Sequence, residues 1–152
     1  AIFETYLSIC VLQEVLDLVA ELDRSTPLNE EVLQNFVKTF SRKLNRGSTV
    51  NSLVDFRVET DSYLDVIEDI INGSEDDPGF KLRYVNAHRF ITDLCIACSN
   101  LFGRESILFK IFIDEYETLQ EYQQKIINTL IKHSTLPVIF NIGLKPKGMK
   151  TP

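Results

Sequence analysis

From Ile2 to Asp23 apolar side chains recur at helical spacing with almost no polar side: Phe3, Leu7, Ile9, Leu12, Val15, Leu16, Val19 and Leu22 are among them. A helix that is apolar all round is one buried between other elements. The pattern therefore predicts a crossover helix packed on a sheet. Arg24-Ser-Thr-Pro-Leu28 breaks it. Asn29 is a good N-cap for a second helix, with Val32, Leu33, Phe36, Val37, Phe40 and Leu44 along one stripe. The span from Val50 to Gly73 reads as mostly helical, with a weak point near Val58-Glu-Thr-Asp61 where Thr60 or Asp61 would cap the second half. Gly73-Ser-Glu-Asp-Asp-Pro-Gly79 is an acidic loop rich in breakers, and Lys81 to Phe102 is a further helical pattern.

The period changes at Ile107. In Ile107-Leu-Phe-Lys-Ile-Phe-Ile113, five of seven positions are β-branched or aromatic, which predicts a strand of a parallel sheet buried on both faces. It runs directly into Asp114 and Glu115. From Glu117 to Lys132 helical spacing returns through Leu119, Tyr122, Ile126, Ile127, Leu130 and Ile131. His133-Ser-Thr-Leu-Pro137 ends that helix, and Val138-Ile-Phe-Asn-Ile142 is a second apolar run, closed by Gly143. The result is a strand near 107–113, a helix, and a strand near 137–142, with a right-handed crossover and parallel strands. Parallel sheets take ligands beyond the carboxyl ends of their strands. Asp114, Glu115 and Asn141 would then share one edge, at the mouth of a site. Two adjacent carboxylates there can hold Mg²⁺ through water and polarise a second water. The simpler reading is an acidic first helical turn, with Glu117 and Glu121 continuing the charge.

These residues carry a resemblance. Ile111-Phe-Ile-Asp114-Glu115 resembles the Walker B motif of P-loop ATPases with an added catalytic glutamate, and Leu136-Pro-Val-Ile-Phe-Asn141 resembles their sensor 1 strand. The runs Phe112–Leu119 and Gln123–Lys132 are similar to bacterial AAA-type ATPases of the origin-recognition-like class. The close likeness covers roughly Leu101 to Lys150; the preceding residues match only in being helical. The resemblance implies an ATP-binding, ATP-hydrolysing enzyme in which Asp114 holds Mg²⁺, Glu115 orients the attacking water, and Asn141 contacts that water or the γ-phosphate. It implies ATP and Mg²⁺ as cofactors and self-association or a protein partner, with DNA a further candidate. The expected fold is α/β, part of a P-loop NTPase parallel sheet with a large helical portion. Residues 1–152 would be one partial ATPase domain, 1–102 mainly helical and 103–152 strand-helix-strand. No glycine of the chain begins or ends a Gly-x-x-x-x-Gly-Lys-Ser/Thr phosphate loop. The chain also opens at Ala1 within a helical pattern and closes at Thr151-Pro152 soon after a strand. The expectation is an internal piece of a longer protein, with the phosphate loop upstream and further strands downstream, inactive on its own.

Composition narrows this picture slightly. The chain has 152 residues, 44% hydrophobic and 25% charged, which suits one ordinary core. A net charge of −6 argues against a nucleic-acid clamp, although Lys145, Lys147 and Lys150 form a local basic patch. No apolar run has membrane length. Three cysteines make no even disulfide framework, which favours a reducing, cytoplasmic setting. Cys95-Ile-Ala-Cys98 has metal spacing but lacks a second pair, so small core residues are expected. His88 and His133 have no evident catalytic partners; Arg89 and Arg104 are candidates for a finger toward a neighbouring subunit. The acidic run Glu75-Asp76-Asp77 lacks the alternation of a calcium loop. Two rivals stand beside the ATPase: a non-catalytic helical interaction module, and an ATP-binding switch that assembles without turnover.

Overall fold

Helical spacing in the first hundred residues becomes α1 (Ile2–Ser25), α2 (Glu30–Leu44), α3 (Leu53–Ile71) and α4 (Ala87–Leu101). Then come β1 (Phe109–Ile113), a 3-10 turn at Tyr116–Thr118, α5 (Glu121–Lys132) and β2 (Val138–Ile142). The structure, a computed structural model, describes residues 1–74, 78–103, 107–114 and 116–143. It divides into two compact units, Ala1–Glu105 and Ser106–Pro152. The first is helical; the second holds a two-stranded parallel sheet.

In the helical unit α1 lies against α3 and α4, and α2 meets the same two helices. Ile9, Leu12, Leu16 and Val19 of α1 are buried, as are Phe56, Tyr63 and Ile67 of α3 and Ile91 and Leu94 of α4. Each such side chain contributes about 1.5–3 kcal/mol through burial. Phe40 joins α2 to α4 by an edge-to-face contact with Phe90, centroids 5.8 Å apart. The expectation of a helix covered on all sides is corrected at α1. Tyr6, Leu18 and Leu22 are 45%, 41% and 37% exposed, because the buried stripe is aimed at two helices and covers only part of the circumference.

Two helix boundaries also differ from the sequence reading. No break occurs near Thr60, whose hydroxyl bonds back to the Arg57 carbonyl (2.6 Å) and accepts from Gln13 of α1 (3.2 Å). Its capping capacity is used inside a continuous helix, which starts instead at the Ser52 cap on the Asp55 N–H. The last helix of the unit begins at Ala87, not Lys81. Upstream, the Arg83 N–H bonds to the Leu44 carbonyl (2.8 Å) and the Val85 N–H to the Thr5 hydroxyl (3.0 Å). Tertiary partners for the backbone replace helical ones here, and Asn86 caps the helix through the Arg89 N–H.

In the second unit α5 packs on β2, burying Ile127 and Leu130 together with Val138 and Phe140. α5 starts at Glu121 rather than Glu117. The Gln123 side chain accepts the Gln120 N–H (3.0 Å), and Gln124 donates to the Tyr116 and Leu119 carbonyls, holding the preceding turn out of the helix. β1 is half-buried rather than covered on both faces. Phe112 is 65% exposed, because α5 lies on one face of the ladder and Phe112 points to the other.

One polar cluster joins the α2–α3 connection to α3. The Glu59 carboxylate accepts from Tyr63 (2.5 Å), Ser48 (2.9 Å) and Asn45 (3.2 Å), all three of them buried. Burial first, and then this carboxylate, push the Tyr63 phenol well above its ordinary value of about 10. Glu59→Ala should strand three buried donors and cost about 2–4 kcal/mol in urea denaturation. Tyr63→Phe should cost about 1 kcal/mol near neutral pH. A raised folded-state value favours the protonated phenol, so its contribution is complete below about pH 10 and is lost as pH rises past that point. The stability gap between wild type and Tyr63→Phe should therefore hold up to about pH 10 and shrink only above it. A gap that stays constant would remove the phenol from the linkage.

Cys95 and Cys98 are buried on α4, and burial pushes both thiols up to about 12. The thiolate is the reactive form. Iodoacetamide should modify the partly exposed Cys10 in native buffer, and Cys95 and Cys98 only as urea unfolds the chain, as read by mass spectrometry. Modification of either buried thiol at the native rate of Cys10 would contradict their core position.

Candidate functional site

The second unit brings the ends of two strands together. β1 and β2 pair in parallel with Phe112 opposite Asn141 and Ile113 opposite Ile142. Side chains alternate across a strand. Phe109, Ile111 and Ile113 therefore share a face with Val138, Phe140 and Ile142, the face on which α5 lies. Lys110, Phe112 and Asn141 occupy the other. Asp114 follows β1 directly and is exposed, as is Asn141 in the penultimate position of β2. The Gly143 N–H continues the ladder to the Ile113 carbonyl (2.8 Å), so Gly143 lies beside the start of the Asp114 segment.

In the sequence Gly143 marks only the end of a strand. A Cβ there would fall 2.7 and 2.9 Å from the Phe112 ring and 3.3 Å from Asp114 Oδ1. Neither distance to the ring is an ordinary carbon contact, so the glycine marks a close approach. Its position after a buried strand was visible in the sequence; the neighbour that fills the missing side chain was not. Phe112, read as core, is instead the exposed ring next to the carboxylate.

Glu115, the residue expected to orient water, lies outside the described residues, as do Lys145, Lys147, Lys150, Arg104 and the acidic run at Glu75-Asp76-Asp77. Asp114 and Asn141 are thus the two expected site residues whose surroundings are described, and they stand at the same carboxyl edge. His133 forms the C-cap of α5, and His88 lies in the first turn of α4. Among the described residues no three His, Cys, Asp or Glu side chains gather as a direct metal site. A single exposed carboxylate still fits Mg²⁺, which retains most of its waters and uses one or two protein oxygens. No helix among the described residues is long and apolar enough to cross a membrane.

No curated protein and no solved structure matches the chain. A family model described as ORC-CDC6-like matches residues 1–152. That span includes the helical unit, where the likeness seen in the sequence alone was confined to roughly 101–150. Four helices followed by a parallel strand-helix-strand unit, matched over their whole length, place this chain in the ORC-CDC6-like family, which is related to the AAA-type P-loop ATPases.

Proposed function

We propose that this chain is a portion of an ATP-binding and ATP-hydrolysing AAA-type P-loop ATPase. The observation that supports this reading is the exposed edge where Asp114, Asn141 and the bare backbone of Gly143 stand at the ends of paired parallel strands. That edge is where open α/β sheets take ligands. Asp114 would hold Mg²⁺ through water, with Asn141 reaching the attacking water or the γ-phosphate. Glu115 would orient that water. Bound Mg²⁺ neutralises charge on the phosphate oxygens, and phosphoryl transfer otherwise depends mainly on positioning. The phosphate cradle would come from sequence outside these residues. The free, buried thiols are consistent with the cytoplasmic setting that belongs to the same proposal. Self-association, a protein partner or DNA would couple to turnover.

The direct test replaces Glu115 with Gln in the protein that carries this chain together with a phosphate loop. ATP turnover should fall about a hundredfold or more while ATP binding persists. Asn141→Ala should lower the same rate constant. Unchanged turnover in Glu115→Gln would refute the assigned role, whatever the binding shows.

A second test addresses the edge itself. Gly143→Ala should cost about 1 kcal/mol, because the Phe112 ring must shift. In a Phe112→Ala background most of that cost should disappear, giving a measurable coupling in urea denaturation. Additive costs would mean that ring and glycine do not meet.

A further inference from the structure

On the face of the sheet away from α5, Phe112 is followed by Asp114 on one strand and Asn141 by Gly143 on the other. Alternate residues of an extended chain point the same way, and their side chains lean along the strand. The register sets Phe112 opposite Asn141, and the bond from the Gly143 N–H to the Ile113 carbonyl (2.8 Å) carries the alignment one step further. From the point where a Cβ of residue 143 would stand, Phe112 Cε1 lies 2.7 Å away, Phe112 Cζ 2.9 Å and Asp114 Oδ1 3.3 Å. The ring thus reaches past its register partner to Gly143. Its outer edge shares one small space with a carboxylate oxygen.

An aspartate just beyond a strand can turn among staggered χ1 positions, with a broad second torsion. A bulky neighbour removes some of these orientations before any ligand arrives, so less ordering remains to be done on binding. A hydrocarbon ring is well suited to that task. It has no hydrogen-bonding atom, so it limits rotation without engaging the oxygens that a hydrated cation needs. Gly143 lets the ring come close enough, since a side chain there would displace it. We propose that Phe112 is a positioning residue: its ring, seated over Gly143, confines Asp114 to one orientation and so prepares the carboxylate for hydrated Mg²⁺. The consequence for the metal rests on the ATPase reading above; the confinement of Asp114 does not. A ring that only fills space over Gly143 would leave the Asp114 torsion indifferent to its removal.

The test reads the χ1 angle of Asp114 by NMR, from three-bond couplings in the full chain without metal or nucleotide. The wild type should show one dominant rotamer, and Phe112→Leu should give averaged couplings. Phe112→Tyr, which keeps the ring, should restore the wild-type pattern. Circular dichroism checks that each variant is folded, and Phe112→Met replaces the leucine variant if that one is not. In the protein that carries this chain together with a phosphate loop, Phe112→Leu should raise the free Mg²⁺ needed for half-maximal ATP turnover about tenfold, and Asp114→Asn at least as far. Averaged couplings in the wild type, or wild-type couplings in folded Phe112→Leu, would overturn the assignment. So would a Mg²⁺ requirement raised by Asp114→Asn but unmoved by Phe112→Leu. If the couplings change as expected and Asp114→Asn leaves the Mg²⁺ requirement untouched, the confinement stands and the ATPase reading alone falls.

Discussion

The register between Phe109–Ile113 and Val138–Ile142 is the constraint on which the candidate site depends. Side chains alternate with a period of two, so a slip of one residue would exchange the faces of a strand. In β2 such a slip would turn Asn141 toward α5 and expose Phe140 and Val138, both now buried. An amide buried without a partner costs more than a ladder bond returns. Ladder bonds at both ends reinforce the pairing: the Phe109 N–H reaches the Pro137 carbonyl (2.7 Å), and the Gly143 N–H reaches Ile113 (2.8 Å). Once that register is set, Asp114 and Gly143 become neighbours without any further device.

The helical unit obeys a different constraint, the satisfaction of buried polar groups where the chain leaves a helix. Thr5 and Glu4 of α1 accept the N–H groups of Val85 and Ala87. Leu44, at the end of α2, supplies its carbonyl to Arg83. The segment before α4 is therefore tied to two helices by its own backbone. Next to Leu44, Asn45 divides its amide, donating to Glu59 and accepting the Gly47 N–H. Each bond is modest, about 1 kcal/mol net. Breaking one strands a buried group, so the cluster ties the α2–α3 connection to α3.

Much of this was legible in the residues. Periodicity located all five helices and both strands, with starts off by as many as six residues at α4, and Asn29 was identifiable as a cap from its type and place alone. The failures share a cause. Lys81 to Val85 has helical composition, but its N–H groups are claimed by Leu44 and Thr5, residues far away in sequence. Thr60 looked like a cap because a threonine hydroxyl can serve the backbone on either side; its actual choice depends on Gln13 of α1. Phe112 looked like core because a sequence shows apolarity but not how many layers cover a strand. Local pattern records what a residue can do, and tertiary partners decide which option is used.

Gly143 illustrates the same limit at the site. Gly73, Gly79 and Gly103 adopt positive φ, a conformation that L side chains rarely take, so their identity follows from the backbone. Gly143 is absent from that group and has no such conformational reason. What a side chain would meet there is the Phe112 ring and the Asp114 carboxylate. Glycine at this point is therefore a consequence of crowding across the strands, and it leaves backbone rather than side chain facing the exposed carboxylate. A ligand approaching Asp114 from the strand edge meets a surface lowered by one missing methyl group. Any larger residue at 143 would have to move the ring or the carboxylate, so the geometry of the edge and the identity of this glycine are one constraint expressed twice.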